Sequence, residues 1–397
     1  MLQIEKAAHQ NALKEIQWNT PGRLEALLAQ IDRAVAVTLD RARGGRELDF
    51  DEGVRLAQTR GQELEALVLA ADRLRHERVG DVITYVVNRN INFTNVCFVG
   101  CRFCAFSRAP RQSDAYFHSF DEIQRRAREA WELGAREVCV QGGLPRDLEP
   151  FYYRNLLHAI KAATPHMHIH AFSPMEVVYG VELTKMPLGD YLAMLKDAGL
   201  GTLPGTAAEI LDDDVRHQIE RIKLRVDQWL DVIKTAHRLG IRTTSTMMYG
   251  HTETEAHWVR HLMLLRDVQK ETGGFTEFVP LGFVHEFTQL YRSGEARPGP
   301  TIEEHLKVHA LSRLMLQGWI DNLQVSWVKM SREVTQACLR AGANDYGGTL
   351  MNENISREAG STSGEYLSPE EFHTRIRELG RTPAERTTLY EIVRMYE

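Results

Sequence analysis

The sequence predicts an α/β protein: a (β/α)₈ TIM-type barrel with an N-terminal helical extension and C-terminal helices. From Gly80 onward, short apolar runs alternate with amphipathic segments of helical period, which is the pattern of parallel strands joined by helices. Eight such units follow one another, and eight units close a barrel. Before Gly80 the periodicity is helical only. A partial barrel of six units is the alternative if the last two strands are misassigned.

The helical extension is predicted to span residues 1–78 and to cover the bottom or the side of the barrel. Apolar residues recur at helical spacing from Leu24, and a glycine pair separates this helix from two more. Residues 79–362 form the predicted barrel. Residues 363–397 are predicted to be a tail of two helices, PEEFHTRIRELG and PAERTTLYEIVRMY.

Each predicted barrel strand is a short apolar run that ends in a turn signal. The predicted strands are 82–93, 137–141, 168–172, 201–204, 243–249, 276–281, 322–328 and 344–349. Helical periodicity places the intervening helices near residues 119, 150, 188, 207, 227, 255, 302 and 331. Because functional residues of a barrel stand at the carboxyl ends of its strands, the residues after each strand are the site candidates.

The bulk composition is that of a soluble globular enzyme. Hydrophobic residues make up 43% and charged residues 26% of the 397 positions, and a net charge of −6 offers no basic surface for nucleic acid or an anionic membrane. No apolar run reaches the ~20 residues of a membrane span, and the first residues lack the apolar core of a signal peptide. The odd, clustered set of cysteines argues against a disulfide framework. We expect a cytoplasmic protein.

Three clustered cysteines, Cys97, Cys101 and Cys104, follow the first predicted strand with the spacing C-x₃-C-x₂-C. Three thiolates this close together can bind one soft metal centre, whereas a closed zinc site needs a fourth ligand. Gly100 gives the loop a permissive backbone, and Phe103 precedes the third cysteine and is expected beside the cofactors. The motif resembles that of the radical S-adenosylmethionine (SAM) superfamily. A zinc knuckle or three unpaired thiols is the alternative.

The superfamily resemblance implies that the three cysteines hold a [4Fe–4S] cluster whose fourth iron binds SAM. It also implies that an external electron donor reduces the cluster, which then cleaves SAM to methionine and a 5′-deoxyadenosyl radical. The resemblance matches Gln141, Gly142, Gly143, Ser173 and Glu209 to SAM contacts.

Two of these matches also have structural interpretations. The Gly142-Gly143 pair lets the backbone approach a ligand closely, but it is equally typical of an ordinary turn. Glu209 could accept hydrogen bonds from the ribose hydroxyls of SAM. It also stands three residues after Thr206, which is the spacing of a helix capping box.

Segments beyond the cysteine motif narrow the resemblance to the CofH family, the tyrosine-using component of the system that makes the deazaflavin precursor of coenzyme factor 420. These segments are INFTNVCFVGCRFCAF, HAFSPMEV, PGTAAEILDD, STMMYGH, GGFTEFVPL, AGANDYGGTL and RTTLYE. The resemblance implies a transferase that cleaves L-tyrosine between Cα and Cβ, leaves 2-iminoacetate, and adds the 4-hydroxybenzyl radical to 5-amino-6-(D-ribitylamino)uracil. Since the sequence contains one C-x₃-C-x₂-C motif, a separate radical SAM partner enzyme would close the deazaflavin ring.

Fragmentation of tyrosine would be helped by a base that takes the phenol proton. Three histidines at predicted strand ends are the candidates for this catalytic role: His170, His251 and His285. His170 alternates with His168 on one strand, so a structural pair is the alternative there. Lys329, after the seventh strand, belongs to the pool of residues for the second substrate.

Two other functions stay open from the sequence alone. Aminofutalosine synthase of menaquinone biosynthesis is similar in the cluster loop and shares the radical chemistry, although its loop resembles NPTN where this sequence has NFTN. A non-catalytic iron–sulfur protein that senses redox state or binds a partner is the third possibility. Cleavage of SAM by the reduced protein would distinguish an enzyme from this last class.

Overall fold

A ring of parallel strands forms the centre of the molecule in the computed structural model, which describes residue 13 and residues 16–18, 20–220 and 222–397. The strands, in chain order, are β1 (Val82–Val86), β2 (Asn88–Ile91), β3 (Glu137–Val140), β4 (His168–Ala171), β5 (Thr202–Leu203), β6 (Arg242–Tyr249), β7 (Phe275–Gly282) and β8 (Asp345–Gly348). The first two are one predicted strand that breaks at Val87.

The ring closes through hydrogen-bonded neighbours. β2 to β7 follow one another in a single parallel sheet. Parallel bridges at Leu323 and Gln324 link β7 to β8, and β8 pairs in parallel with β1. The predicted (β/α)₈ barrel is therefore confirmed, but its seventh strand is reduced to these bridges and runs into a turn of 3₁₀ helix at Trp327–Lys329.

Helices cover the outside of the barrel. They are Phe120–Glu132, Tyr152–Ala163, Pro174–Thr184, Leu188–Asp197, Asp213–Ile219, Val226–Arg238, Glu255–Thr272, Ile302–Leu316 and Arg332–Leu339. Their apolar faces bury the outward residues of the strands, such as Val138, Ile169 and Phe278, which are fully buried. The sequence analysis missed the helix Pro174–Thr184, although Ser173 and Glu176 form a capping box at its start.

Four helices before the barrel, Arg23–Leu28, Arg33–Arg43, Phe50–Ala57 and Gly61–Val79, agree with the helical pattern of that region. The last of them packs on the barrel helix Ile302–Leu316. One continuous hydrophobic core joins these helices to the barrel, which fits a cover on the side of the barrel. Among the described residues, no helix combines the length and apolarity needed to cross a membrane.

The prediction of two C-terminal helices is wrong for the second one. Two helices come first, the short helix Ile355–Ala359 and then the helix Pro369–Arg377. The segment PAERTTLYEIVRMY, which was predicted to be the second helix, instead forms β9 (Thr382–Arg386) and β10 (Ile392–Met395). β9 pairs in parallel with β1. It occupies the edge of β1 that the break at Val87 leaves open. An open edge of backbone N–H and C=O groups outweighs the helical preference of Ala, Glu and Arg residues.

The helix predicted from Ala207 is also wrong at its start. Ala207 and Glu209 have φ values of 59° and 42°, in the left-handed region that a right-handed helix excludes. The helix begins only at Asp213, with Asp212 as its cap. Thr206 and Glu209 therefore form no capping box, and the segment is free to face the barrel mouth, the end where the strands have their carboxyl termini.

Candidate active site

A cavity of about 260 Å³ lies at the barrel mouth. All nine residues that the sequence matched to cluster or SAM binding line this cavity: Cys97, Cys101, Phe103, Cys104, Gln141, Gly142, Gly143, Ser173 and Glu209. They come from the loop after β2 and from the segments after β3, β4 and β5. The topology of parallel strands thus brings together residues that are as far apart in the sequence as Cys97 and Glu209.

The loop that carries the cysteines is held by its own backbone. The Cys97 N–H donates to the carbonyl of Arg108 (3.1 Å), and the Cys104 N–H donates to the carbonyl of Cys101 (3.1 Å). Gly100 has a φ of 67°, which a residue with a Cβ adopts at a cost. The Arg108 guanidinium fixes the end of the loop by ion pairs with Asp114 (2.5 Å) and Glu358 (2.7 Å). Backbone hydrogen bonds and the ion pairs of Arg108 thus fix the loop that carries the three thiols.

The glycine pair after β3 lies directly against this loop. The Gly143 N–H donates to the Thr94 carbonyl (2.8 Å), and a Cβ at Gly143 would lie 2.7 Å from the carbonyl carbon of Val96. A Cβ at Gly142 would lie 2.6 Å from the ring of Phe93. Neither glycine has a positive φ, so close packing against the cysteine loop, and not turn geometry, requires them.

The donor chemistry of the three cysteines fits an iron–sulfur cluster. All three thiols are free, and burial raises the pKa of the Cys101 and Cys104 thiols, so their thiolates need a strong positive partner such as a metal centre. Among the described residues, no three His, Cys, Asp or Glu side chains converge on a single-ion site. Cluster ligands bind separate irons and need not meet at one point.

An ionic group lies beside the cysteines. The Lys223 ammonium contacts the Glu209 carboxylate and lies 3.3 Å from Glu220, and Arg216 pairs with Glu220 at 2.7 Å. Burial would raise the pKa of Glu209, but the charges of Lys223 and Arg216 lower it, so Glu209 is an anion. The Lys223 ammonium also lies 4.9 Å from the centre of the Phe103 ring. The sequence analysis missed Lys223, and no pattern around it signals a site.

Two hydrogen-bonded pairs shape the opposite side of the cavity. The Gln141 amide nitrogen donates to the Thr206 hydroxyl (2.6 Å), which joins the ends of β3 and β5. The Ser173 hydroxyl donates to Glu176 (2.7 Å), and the Gly142 N–H donates to the same carboxyl group (3.1 Å). Burial raises the pKa of Glu176 to about 7. Ser173 thus serves first as a helix cap, while its side chain remains at the cavity wall.

In addition to Lys223, Lys329 lines the cavity wall as a cation. Its ammonium donates to the Ser356 hydroxyl (3.0 Å), and burial lowers its pKa. Lys223 is already paired with carboxylates, whereas the hydrogen bond of Lys329 goes to a neutral hydroxyl. Lys329 is therefore suited to pair with the carboxylate of an incoming ligand.

The structure places the three predicted histidines away from the cavity wall and apart from one another. His170 bonds to the Thr202 hydroxyl inside the barrel (2.7 Å), and burial lowers its pKa to about 4. His251 is fully buried and bonds to the Met248 carbonyl (3.0 Å). His285 lies on the rim, with its ring 4.4 Å from that of Tyr291. Their role as a base stays a prediction.

Comparison with solved structures shows the same fold in distant proteins. The crystal structure of HydG, a maturase of the [FeFe]-hydrogenase, superposes with a TM-score of 0.70 over 94% of this chain and 82% of that chain, at 14% sequence identity. Methylornithine synthase (PylB) superposes with a TM-score of 0.68 over 87% of this chain and 97% of that chain, at 18% identity. At these identities the likeness concerns the fold alone.

Sequence relatives are much closer. The 5-amino-6-(D-ribitylamino)uracil–L-tyrosine 4-hydroxyphenyl transferase of Methanocaldococcus jannaschii is 52% identical over 81% of this chain and 91% of that protein. The protein of the same name from Methanothermobacter thermautotrophicus is 51% identical over 86% of this chain and 93% of that protein. FO synthase of Nocardia farcinica is 50% identical over 95% of this chain, which spans only 43% of that longer protein.

Two family models divide the chain between them. The model of the Radical SAM superfamily matches residues 91–265, which contain the cysteine loop and the strands β3 to β6. The model of the CofH/MqnC C-terminal region matches residues 272–397, which contain β7, β8 and the C-terminal hairpin. The chain therefore belongs to the radical SAM superfamily and, within it, to the CofH family of 5-amino-6-(D-ribitylamino)uracil–L-tyrosine 4-hydroxyphenyl transferases.

Proposed function

We propose that this protein cleaves L-tyrosine between Cα and Cβ and transfers the 4-hydroxybenzyl group to 5-amino-6-(D-ribitylamino)uracil. The products would be 5-amino-5-(4-hydroxybenzyl)-6-(D-ribitylimino)-5,6-dihydrouracil, 2-iminoacetate, methionine and 5′-deoxyadenosine. The observation that carries the proposal is the single cavity that collects three free cysteines and six further matched residues. The substrate assignment follows from the names of two relatives that this chain matches over nearly their full length.

Cys97, Cys101 and Cys104 would hold a [4Fe–4S] cluster, and the cavity beside them would hold SAM. When bound, the two cofactors supply a carbon radical that abstracts hydrogen. Glu209 is an anion in the absence of ligand, so its carboxylate can accept hydrogen bonds from the ribose hydroxyls. Gln141 and the glycine pair bring backbone groups close to the cysteine loop. Apolar side chains such as Leu281 and Phe283 line the rest of the cavity and exclude water.

Lys329 would bind the carboxylate of tyrosine. A half-buried ammonium whose hydrogen bond goes to a neutral hydroxyl gains most from an anionic ligand. In a Lys329→Met variant we expect KM for tyrosine to rise about tenfold or more, as the loss of a charge-assisted hydrogen bond requires, with the Kd for SAM unchanged. Lys329→Arg should recover part of the loss. Equal KM values for tyrosine in Lys329→Met and wild type would contradict this role.

The product would pass to a second radical SAM enzyme that closes the deazaflavin ring, and a reducing protein would deliver the electron. The sequence has one C-x₃-C-x₂-C motif, and the matched segment is 43% of the longer FO synthase of Nocardia farcinica. Both facts support a division of the two steps between two catalytic units, which we place in the cytoplasm.

The deciding experiment is an anaerobic assay of the reconstituted and reduced protein with SAM, L-tyrosine and 5-amino-6-(D-ribitylamino)uracil. Mass spectrometry should find 5′-deoxyadenosine together with the benzyl adduct of the uracil. A variant in which Cys101 is replaced by Ala is the control, and it should give neither product. Formation of 5′-deoxyadenosine without the adduct would overturn the substrate assignment. A fully loaded cluster that gives no 5′-deoxyadenosine would overturn the enzyme assignment.

A further inference from the structure

One peptide bond at the cavity wall, the bond between Gln141 and Gly142, is held on both sides by side chains. Its carbonyl oxygen accepts a hydrogen bond from the Asn92 amide nitrogen (3.1 Å), and its N–H donates to the Glu176 carboxyl group (3.1 Å). The carbonyl and the N–H of a trans peptide point in opposite directions, so the two side chains hold the peptide plane from opposite sides. We name Asn92, Glu176 and this peptide bond the peptide clamp.

The following peptide bond is oriented by the segment that leads to the cysteines. The Gly143 N–H donates to the Thr94 carbonyl (2.8 Å), so the Gly142 carbonyl points the opposite way. Among the described residues, no group donates a hydrogen bond to this oxygen, and Gly142 is a half-buried residue of the cavity wall. The Gly142 carbonyl is thus left as an acceptor for a ligand that donates hydrogen bonds.

A second copy of the same helix cap shows what is special about Glu176. Residues 173–176 (SPME) and 368–371 (SPEE) both begin a helix with a proline and a capping box. Glu371 is exposed and bonds to its own cap residue (3.1 Å), which is what a capping box requires. Glu176 is only 1% exposed and accepts the Gly142 N–H in addition. Neither its burial nor this extra hydrogen bond is needed for the cap.

The turn that brings Glu176 to the glycine pair is strained. Phe172, between β4 and the helix Pro174–Thr184, has a φ of 63°, in the left-handed region that a bulky residue rarely adopts. Its N–H still donates to the Val140 carbonyl at the end of β3 (3.2 Å), so the chain passes directly from the sheet into the helix. Such a conformation costs free energy and persists where the surrounding structure enforces it, typically at a functional site. The strain is explained if the place of Glu176 serves the cavity.

The ligand expected beside the glycine pair has the matching chemistry. SAM carries an ammonium group, which donates hydrogen bonds, and a second positive charge on its sulfonium sulfur. We propose that Glu176 and Asn92 are positioning residues for SAM, which hold the Gln141–Gly142 peptide so that the Gly142 carbonyl accepts a hydrogen bond from the ammonium group. This inference rests on the SAM binding of the proposed function, and it adds two residues that the resemblance does not match to SAM.

The test is equilibrium dialysis of SAM against the reconstituted but unreduced protein, in which no turnover begins. At about pH 8 the Glu176 carboxyl, with its pKa of about 7, is ionised. Glu176→Leu and Asn92→Ala each free one side of the peptide, and we expect the Kd for SAM to rise about tenfold or more in both. Glu371→Leu removes the same capping box from an exposed helix end. It is the matched control, and its Kd should stay within about twofold of wild type.

The double variant Glu176→Leu/Asn92→Ala separates a shared peptide from two independent contributions. If both side chains act through one peptide, the second substitution adds little, and the Kd should lie within about threefold of the weaker single variant. Independent contributions would multiply to about a hundredfold, which would contradict the clamp.

Two further outcomes distinguish the inference from the proposed function. A wild-type Kd for SAM in Glu176→Leu, with the iron content of wild type, would overturn the positioning role and leave the proposed function intact. A wild-type protein that holds its full cluster and binds no SAM would overturn the proposed function itself.

Discussion

At the level of single residues, the Lys223 ammonium contacts two carboxylates, of which one lines the cavity and the other does not. Glu209 lines the cavity, whereas Glu220 belongs to the same ionic group but stands behind it. Both carboxylates contact the same ammonium, so removing either one changes the charge around Lys223 by the same amount. The pair therefore separates a residue that touches the ligand from one that only supports the ionic group.

Glu209→Gln should weaken SAM binding, and Glu220→Gln should not. Charge-assisted hydrogen bonds to a hydroxyl are worth about 1.5–3 kcal/mol, so we expect the Kd for SAM to rise about tenfold or more in Glu209→Gln. Equilibrium dialysis at about pH 8, where both carboxyls are ionised, measures this value. A similar rise in both variants would show that the ionic group as a whole, and not a direct contact of Glu209, supports SAM.

Gly143 tests the packing of the glycine pair on the cysteine loop. A Cβ at Gly143 would overlap the backbone at Val96, next to Cys97. Because backbone cannot rotate away as a side chain can, Gly143→Ala should destabilise the protein by about 1–3 kcal/mol and lower the iron bound per chain. Gly189→Ala, on the helix Leu188–Asp197 with no atom near its Cβ, is the control and should keep full iron content. Full iron content in Gly143→Ala would contradict the close packing.

At the scale of elements, the C-terminal hairpin depends on a buried ion pair. Arg386 of β9 donates two hydrogen bonds to Asp345 at the start of β8 (2.5 and 2.9 Å), and both side chains are buried. The Thr84 hydroxyl donates to the same carboxylate (2.5 Å). The pair thus joins β9 to the two strands where the barrel ring closes.

Arg386→Met should be strongly destabilising, since it leaves the Asp345 carboxylate without its charge partner. Breaking a buried pair in this way costs about 3–5 kcal/mol, and urea unfolding followed by tryptophan fluorescence measures it. Arg394→Met, on the exposed strand β10 of the same hairpin, should change the free energy of unfolding by less than about 0.5 kcal/mol. Equal stability of the Arg386 and Arg394 variants would show that the hairpin is not needed to hold the barrel floor.

Local patterns predicted the elements that form locally, and they failed where a distant partner decides. The alternation of strands and helices gave the barrel, because each unit follows from its own periodicity. The segment around Arg386 has helical composition, but its conformation is set by the open edge of β1, about three hundred positions earlier. For the same reason, the local pattern did not predict that the first strand breaks at Val87.

Predictability within the site followed the same division. The cysteines and glycines could be found because their spacing is itself the chemical requirement. Lys223 could not, since only the fold brings it to Glu209.

At the scale of the whole molecule, two sets of buried titratable groups have opposite effects on how the free energy of unfolding depends on pH. Burial lowers the pKa of five histidines to between about 3 and 4: His170, His237, His261, His305 and His309. Burial raises the pKa of three carboxyls to about 7: Glu176, Glu220 and Glu277. Between about pH 5 and pH 6.5 the unfolded chain holds protons on the histidines, and the folded chain holds them on the carboxyls.

The histidines should win this balance, so that stability rises with pH up to about 6.5. A histidine with a depressed pKa binds its proton only on unfolding, which makes acid destabilising. A carboxyl with a raised pKa has the opposite sign, because the unfolded chain ionises first as pH rises. Five histidines against three carboxyls leave about two extra protons on the unfolded chain. Each proton changes the unfolding free energy by about 1.4 kcal/mol per pH unit, so the slope should be about 3 kcal/mol per unit near pH 5 and decline towards zero at about pH 6.5, where the histidines of the unfolded chain have lost about half of their protons.

His309→Leu isolates one member of this group. The Nε2 atom of His309 is buried without a hydrogen-bond partner among the described residues, so replacement by Leu removes a titrating group together with one hydrogen bond, from Nδ1 to the His305 carbonyl (2.7 Å). We expect the slope of unfolding free energy against pH to fall by about 1 kcal/mol per unit near pH 5 and by about half as much at pH 6.5. A wild-type slope in His309→Leu would show that the acid sensitivity does not come from this buried histidine.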